Sequence, residues 1–421
     1  MEKVSKNAYA ERKEKVVSIR IDHFSLNEKT KSALLGAEKI IVQNLESEIA
    51  DFNIAWLDRS KYFSDLKEIR VSGKGNFYSS EDGKILFHKS GNGIITLVYY
   101  IVNQDYVEIP EGVEVIGDKA FLDSDVRSVK FPDSLSEIGH RSFAYCRKLE
   151  SVNFGKNIQK IGSCAFSSCR NLKSIKISAC EPGNEIWIKD HAFSFCEELQ
   201  VAELGEGISK IEDYAFWGCF NLKEITLPKS LHSVGANSLE YADIVRIRSP
   251  VDGLAEACVF CVNYFFKPHC ESQFLRIEFG NISIVVPKRT KNLLPKLDDV
   301  LNLVFLLEPK DKKKVFDLSG FAADPYGQRQ VLLEAFRLNP DETAGKRVKK
   351  FWRELLDDQS EEGDEGKFLD LLQLFRKGGL QTQELLKESI RIAGENGWPR
   401  VTAYSLGELN EACAVECSFE L

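Results

Sequence analysis

Apolar positions in the first half of the chain recur with a long and regular spacing. Between Val107 and Pro250 six stretches superimpose: VEIPEGVEVIGDKAFLDSD from Val107, VKFPDSLSEIGHRSFAYCRKLES from Val129 and VNFGKNIQKIGSCAFSSCRNLKS from Val152. They continue with IKISACEPGNEIWIKDHAFSFCEELQV from Ile175, AELGEGISKIEDYAFWGCFNLKE from Ala202 and ITLPKSLHSVGANSLEYADIVR from Ile225. An anchor aromatic falls at Phe121, Phe143, Phe166, Phe193 and Phe216, with Leu239 in its place in the last copy, in steps of 22, 23, 27, 23 and 23 residues. Such a period belongs to a solenoid, in which each unit buries its apolar face against the next. Within a copy, Leu222, Ile225 and Leu227 have the spacing of a short strand with one inward face. Pro228 ends that strand, and Leu231 and Val234 carry the chain to a second wall. Gly235 there, with Gly117, Gly139 and Gly162 in other copies, is expected at a corner of positive φ. The Ala-Phe or Ser-Phe pair then plugs the coil. Cys146, Cys169, Cys196 and Cys219 occupy one column, three residues after the anchor.

The pattern changes on both sides of this array. Upstream, Phe63–Val71 imitates Phe220–Leu227 and predicts one more strand, while Asp82-Gly83 and Gly91-Asn92-Gly93 are hairpin signals. Residues 1–59, with LNEKTKSALLGAEKIIVQNL, are expected to form an N-terminal cap containing one helix. The solenoid is assigned to 60–250, with a hairpin insert at about 76–100, and a small β and apolar linker to 251–295. A hairpin around Gly280-Asn281 lies within 275–287. From 296 to 421 the period is helical, beginning with Leu297, Val300, Leu301, Val304 and Phe305 on one face. Further helices are predicted at about 326–337, 342–357, 366–377, 382–394 and 398–411. The fold class is therefore α+β: a solenoid of short parallel strands followed by a mainly α-helical domain.

The motif Phe143-x-x-Cys146-x-x-Leu149, repeated at Phe166-x-x-Cys169-x-x-Leu172 and Phe216-x-x-Cys219-x-x-Leu222, resembles the BspA-type leucine-rich repeats of bacteria. Ile138-Gly139 and Ile161-Gly162 upstream fit the same unit. The resemblance covers about 60–250 and extends to a "DGxLY"-like hairpin insert. The copy from Ile175 departs from it by a four-residue insertion near Cys180–Glu185, and Ser124 and Ala242 replace Cys in the outer copies. The resemblance implies a right-handed solenoid that binds other proteins, or alternatively an exported adhesin. The helix pair from Gln383 to Leu406 resembles an ankyrin-like tail, which would supply a second interaction surface.

Composition narrows the options. A net charge of −8 over 421 residues disfavours a nucleic-acid partner, since phosphate binding needs a basic field. The basic runs at Lys312–Lys314 and Lys346–Lys350 read as solvated faces beside acidic residues. No apolar run is long enough to span a membrane. The charged N-terminus lacks the apolar segment of a secretory signal, so a cytoplasmic location is expected, with the cell surface as the alternative for a trimmed N-terminus. Eleven cysteines, four of them in one repeat column, suit reduced packing residues.

No sequence motif of a P-loop, dinucleotide fold, zinc protease or nucleophile elbow occurs, and no cofactor is expected. Cys258, Cys261, His269 and Cys270 are weak candidates for a zinc site, with Cys413 and Cys417 as further ligands. His191 near Cys196 offers a weak catalytic pair, the basis of a zinc- or cysteine-dependent enzyme reading that ranks last. The binding candidates are the outward columns of the strand face. One column is expected to run Glu108, Lys130, Asn153, Lys176, Glu203, Thr226 and Arg248. Its neighbour is expected to run Glu68, Ser128, Ser151, Ser174, Val201, Glu224 and Arg246. The function this supports is a non-enzymatic protein–protein interaction scaffold using that face and the helical tail.

Overall fold

The alternation of apolar and polar residues is realised as two parallel walls in the computed structural model. The structure describes residues 3–5, 8–11, 16–20, 32–43, 64–73, 75–101, 104–180, 183–258, 260–261, 274–290, 294–306, 314–322, 324–340 and 342–418. These fall into two compact units, one built from the residues up to Cys258 and the other from those after it.

In the first unit a front wall of parallel strands runs in chain order through Tyr106–Glu108, Ser128–Lys130, Ser151–Asn153, Ser174–Ile177, Val201–Leu204, Glu224–Thr226 and Ile244–Ile247. A back wall runs through Val115–Ile116, Glu137–Ile138, Lys160–Ile161, Ile186–Ile188, Ile208–Ile211 and Ser233–Val234. Middle residues such as Val107, Val129, Ile175, Ile225 and Val245 are buried, as the period predicts. The anchor rings stack between neighbouring copies at 4.5, 5.2, 5.2 and 5.4 Å from Phe121 through to Phe216, with planes within 15°. Phe131 and Phe154, just past their strands, meet this stack edge-on. The predicted hairpin insert is Phe77–Ser79, Ile85–Lys89 and Ile95–Tyr100, antiparallel to one another. Its last strand becomes the first rung of the back wall, and Tyr100 starts the aromatic stack 5.1 Å from Phe121.

The edge joining back wall to front wall has an unusual backbone. Left-handed residues recur two before the anchor, at Lys119, Arg141, Cys164, His191, Tyr214 and Asn237, with φ of 52–57°. A second series, two after it, comprises Asp123, Tyr145, Ser168, Phe195 and Gly218. This alternation turns every other N–H out of the coil. In one copy Arg141, Phe143 and Tyr145 donate to carbonyls of Ser163, Ala165 and Ser167 in the next copy, at 2.8–3.0 Å. Ser142, Ala144 and Cys146 instead close turns onto residues three earlier. A left-handed residue costs roughly 1–2 kcal/mol, and here it satisfies inter-repeat donors that a helix would leave in the core.

The expected positive φ at Gly117, Gly139, Gly162 and Gly235 is not found: none of them lies in that region. Their requirement is close approach. A Cβ on Gly162 would lie 2.7 Å from the Ile138 carbonyl oxygen and 2.8 Å from the Gly139 carbonyl carbon.

Before the array, Val16–Arg20, Lys39–Gln43 and Glu68–Ser72 pair in parallel within a separate five-stranded sheet. The helix expected in this cap is present among the described residues only at 32–34. The β-branched alternation of Lys39–Gln43 takes over, burying Ile40 and Val42. Glu68 pairs with Lys39 in that sheet and so does not belong to the front-wall column.

At the other end the last copy is short. Thr226 pairs with Arg246, so Arg246 takes the first column and Ile244 the second, while Arg248 lies beyond both. The helix α1, Leu254–Cys258, then stands in for a further repeat: Asn237 and Leu239 donate to its Glu256 and Ala257 carbonyls at 2.9 and 2.8 Å. The repeat's hydrogen bonds therefore continue past Pro250.

In the second unit Phe274–Phe279 and Ile282–Pro287 form the predicted hairpin, with Gly280 at φ 57° in its turn. Lys314–Asp317 joins Ile282–Pro287 in parallel. The helices are α2 (Leu294–Leu306), α3 (Pro325–Leu338), α4 (Glu342–Val348), α5 (Trp352–Glu361), α6 (Glu365–Lys377), α7 (Gln383–Asn396) and α8 (Pro399–Ser418). The expected 342–357 helix breaks into α4 and α5 around a 3-10 turn, Lys349–Phe351. A core of Phe336, Leu356, Phe368, Leu372, Phe375 and Val401 joins α3 to α8.

Candidate interaction surfaces

The front wall holds most of the predicted site residues, and it pairs them with one another. Lys130 reaches Glu108 at 2.6 Å and Lys176 reaches Glu203 at 2.6 Å, each across one rung. Arg246 forms an ion pair with Glu224, and Ser128 bonds Ser151 at 2.9 Å. Glu108 holds the Lys130 ammonium above its ordinary pKa. Arg248 sits off the column and approaches Glu206 at 3.6 Å. Asn153 and Thr226 are the uncharged members of the column. Two exposed hydrophobic side chains break this polar surface, Tyr106 and Val201, with the rungs of Ser128, Ser151 and Ser174 between them, and the half-buried Ile244 ends the same column. Exposed pairs of this kind contribute little to stability. Their charge is already compensated within the wall, so a partner has to displace them before using them.

Aromatic side chains concentrate instead on the left-handed edge. His191 stacks on Tyr214 at 4.9 Å with planes 6° apart. Tyr214 and Phe195 both meet Trp217 edge-on, at 6.0 and 4.7 Å. Phe195 is held down where Gly218 leaves room, since a Cβ there would come within 2.7 Å of its ring. His191, Phe195, Tyr214 and Trp217 are all half-buried, and Tyr145, further along the same edge, is 45% exposed. Half-exposed Trp and Tyr on a rigid backbone are the residues that dominate protein interfaces. This patch was not among the sequence candidates. Its signal lay in the positions flanking the anchor, which a reading by strand columns passes over.

The cysteine column points inward. Cys146, Cys169, Cys196 and Cys219 are fully buried, and each thiol donates to the carbonyl of the anchor one copy earlier: Phe121, Phe143, Phe166 and Phe193, at 3.1–3.3 Å. Burial pushes the thiols of Cys169, Cys196 and Cys219 up, the reverse of an activated nucleophile. The catalytic pair expected of His191 and Cys196 is not formed: the thiol proton goes to the Phe166 carbonyl and the imidazole lies against Tyr214. Cys258 is buried in α1 with its thiol likewise pushed up. The side chain of Cys261, all of His269 and Cys270, and the side chains of Cys413 and Cys417 lie outside the described residues. Among the described residues no cluster of three metal-ligating side chains occurs, and no helix is long and apolar enough to cross a membrane. Of the basic runs, Arg347 is paired with Asp317 at 2.5 Å and donates to Ser319 at 3.0 Å.

No curated protein matches the chain. Among solved structures it is similar to a leucine rich cell surface protein from Faecalibacterium prausnitzii, with 22% identity over 53% of this chain and 54% of that one and a TM-score of 0.36. It is also similar to a leucine-rich repeat protein from Eubacterium ventriosum, at 19% identity over 49% and 59% of the two chains and a TM-score of 0.37. A shorter leucine-rich repeat protein from Bacteroides capillosus matches at 27% identity over 31% of this chain and 99% of its own, with a TM-score of 0.26. The chain spans about half the length of the first of these. A family model matches in six copies over residues 94–186 and 181–258. The solenoid, with its stacked anchors and its cysteine column, is a BspA type leucine rich repeat region.

Proposed function

We propose that this chain is a non-enzymatic protein-binding scaffold, and that its principal contact is the aromatic patch of His191, Phe195, Tyr214 and Trp217. The observation that carries the reading is the contrast between two faces. The front wall spends its charges on internal pairs, whereas the edge presents pre-stacked rings on a backbone locked by inter-repeat hydrogen bonds. Rigid aromatic anchors lose little conformational freedom on binding. The helical tail, likened to an ankyrin pair, is proposed as a second surface. The buried, un-ionised cysteine column supports a binding role over catalysis.

The test is capture of partners by the full chain from extracts of its own cells, followed by measurement with the purified partner. Converting Tyr214 and Trp217 together to Ala should weaken binding by about tenfold or more, while Lys130→Ala and Lys176→Ala leave it within about threefold. The opposite ranking would move the site to the front wall. Equal binding by all variants would remove both.

A second reading, an exported cell-surface adhesin, is supported by the match of residues 94–258 to the BspA type repeat. It uses the same surfaces in a different compartment. Protease treatment of intact cells decides between them: an adhesin is cleaved with the cells whole, and a cytoplasmic scaffold only after lysis.

A further inference from the structure

The back wall carries an indole where the adjacent rung on either side carries a lysine. Its outward column runs, in register, Val115, Glu137, Lys160, Trp187, Lys210 and Ser233. Trp187 is 43% exposed, and it belongs to the copy whose insertion lengthens the chain between the two walls. The end of that insertion, Gly183 to Glu185, forms one side of an open cavity of about 450 Å³, and Trp187, Gln159, Ser136 and the Glu137–Lys160 pair form the rest of its lining.

The indole is fixed. Its N–H donates to Glu185 at 3.1 Å, and the same carboxylate accepts from the Ser209 hydroxyl at 3.2 Å. The Lys189 ammonium lies over the ring, 5.5 Å from its centroid, and is itself paired with Glu212. Beside the ring, the side-chain amides of Gln159 and Asn184 make no hydrogen bond among the described residues. Glu137 and Lys160 form a neutral pair at 2.7 Å across the adjacent rungs.

We propose that this cavity is a saccharide-binding subsite, in which a sugar ring lies against Trp187 and its hydroxyls bond the amides of Gln159 and Asn184. The chemistry selects among ligand classes. A phosphate-bearing ligand meets no net positive charge, because Lys160 and Lys189 are both paired with carboxylates. A quaternary cation would face the Lys189 ammonium already placed over the ring. A neutral polyol with one apolar face suits an immobilised indole bordered by uncommitted amides, the mixed lining through which pockets combine apolar contact with a few orienting polar groups. The amides act as both donors and acceptors, as hydroxyls do.

The experiment is titration of the full chain with soluble hexasaccharides of glucose (β-1,3, β-1,4 and α-1,4 linked), mannose, xylose and N-acetylglucosamine, followed by indole fluorescence and calorimetry. At least one should bind below about 10 mM. Trp187→Ala should then weaken it by about tenfold or more, Trp187→Phe by less, and Trp217→Ala on the left-handed edge not at all. Gln159→Ala with Asn184→Ala provides a reading independent of the ring, also with weakened binding expected. The proposal is overturned if no saccharide binds, or if binding survives in both Trp187→Ala and the amide variant. Peptides selected from a displayed library that bind only when Trp187 is present, with no saccharide bound, would also overturn it and make the cavity a peptide site. Because this cavity and the aromatic edge involve different residues, either can fail without the other.

Discussion

The cysteine column shows how one atom can be specified by its neighbour in the preceding copy. At Cys196 the column position must be small enough to fit the coil and must donate to the Phe166 carbonyl at 3.3 Å, a combination that Ala lacks. Cys196→Ala should therefore cost about 1–2 kcal/mol, from the lost donor and the lost packing together, read as a lower urea midpoint with unchanged slope. The same burial gives stability a pH dependence. The thiols of Cys169, Cys196 and Cys219 are held above their ordinary pKa by desolvation, so the unfolded chain loses its thiol protons at lower pH than the folded one. Their contribution is complete below about pH 8.5 and declines as pH rises above it. The urea midpoint should fall between pH 8 and pH 10, and fall less in Cys196→Ala. At pH 8 the half-buried Cys164 should react with iodoacetamide before the buried column does. Gly162 is the opposite case, a position fixed by what must be missing. Its Cβ would press on the backbone of the preceding copy at 2.7 Å, so Gly162→Ala should destabilise by about 1–3 kcal/mol in the same assay. Corner geometry and close approach both ask for Gly, so a sequence pattern alone does not separate the two roles. The left-handed backbone falls instead on residues such as Lys119, Arg141 and Cys164, types that give no conformational signal.

Among elements, legibility followed periodicity. The strand columns and the first helical face were readable because Val129, Val152, Ile225 and Leu297 each sit at the repeat of their element. The register of the last rung was not, because it depends on a length. From Ile225 to Val245 the copy spans fewer residues than its predecessors, and the pairing of Thr226 with Arg246 leaves Arg248 outside. The aromatic edge and the Trp187 cavity escaped for a related reason: both are assembled from non-repeating residues on a repeating frame. Helix ends were partly legible. Asp364 caps α6, accepting from Gly366 and Lys367, while the next residue, Glu365, caps a different helix. Its carboxylate accepts from Arg400 and Val401 at 2.6 and 3.2 Å, at the N-terminus of α8. A carboxylate there satisfies free N–H groups and complements the helix dipole. Glu365→Ala should cost about 1 kcal/mol, and hydrogen exchange should locate the loss in the first turn of α8. Equal protection of that turn in both proteins would show that packing of Val401 alone holds the helix.

At the scale of the whole molecule, a solenoid has two ends where its hydrogen-bonding pattern must stop, and each needs a cover. The first end uses the hairpin strand Ile95–Tyr100, which supplies both the opening rung of the back wall and the first ring of the stack. The last end uses α1. Were the chain cut at Pro250, Asn237 and Leu239 would lose the Glu256 and Ala257 carbonyls and Val234 would lose Asp252. Each uncovered donor costs about 1–3 kcal/mol if it stays buried, and in a stacked array the damage passes inward through nearest-neighbour contacts. A chain of residues 1–259 should therefore unfold at a clearly higher urea concentration than one of residues 1–250, followed by far-UV circular dichroism. The shorter chain should also lose cooperativity, its final copies melting before the central stack of Phe143, Phe166 and Phe193. Coincident transitions for the two chains would mean that α1 adds nothing to the array and that the repeat is sealed by Leu239 and Tyr241 alone.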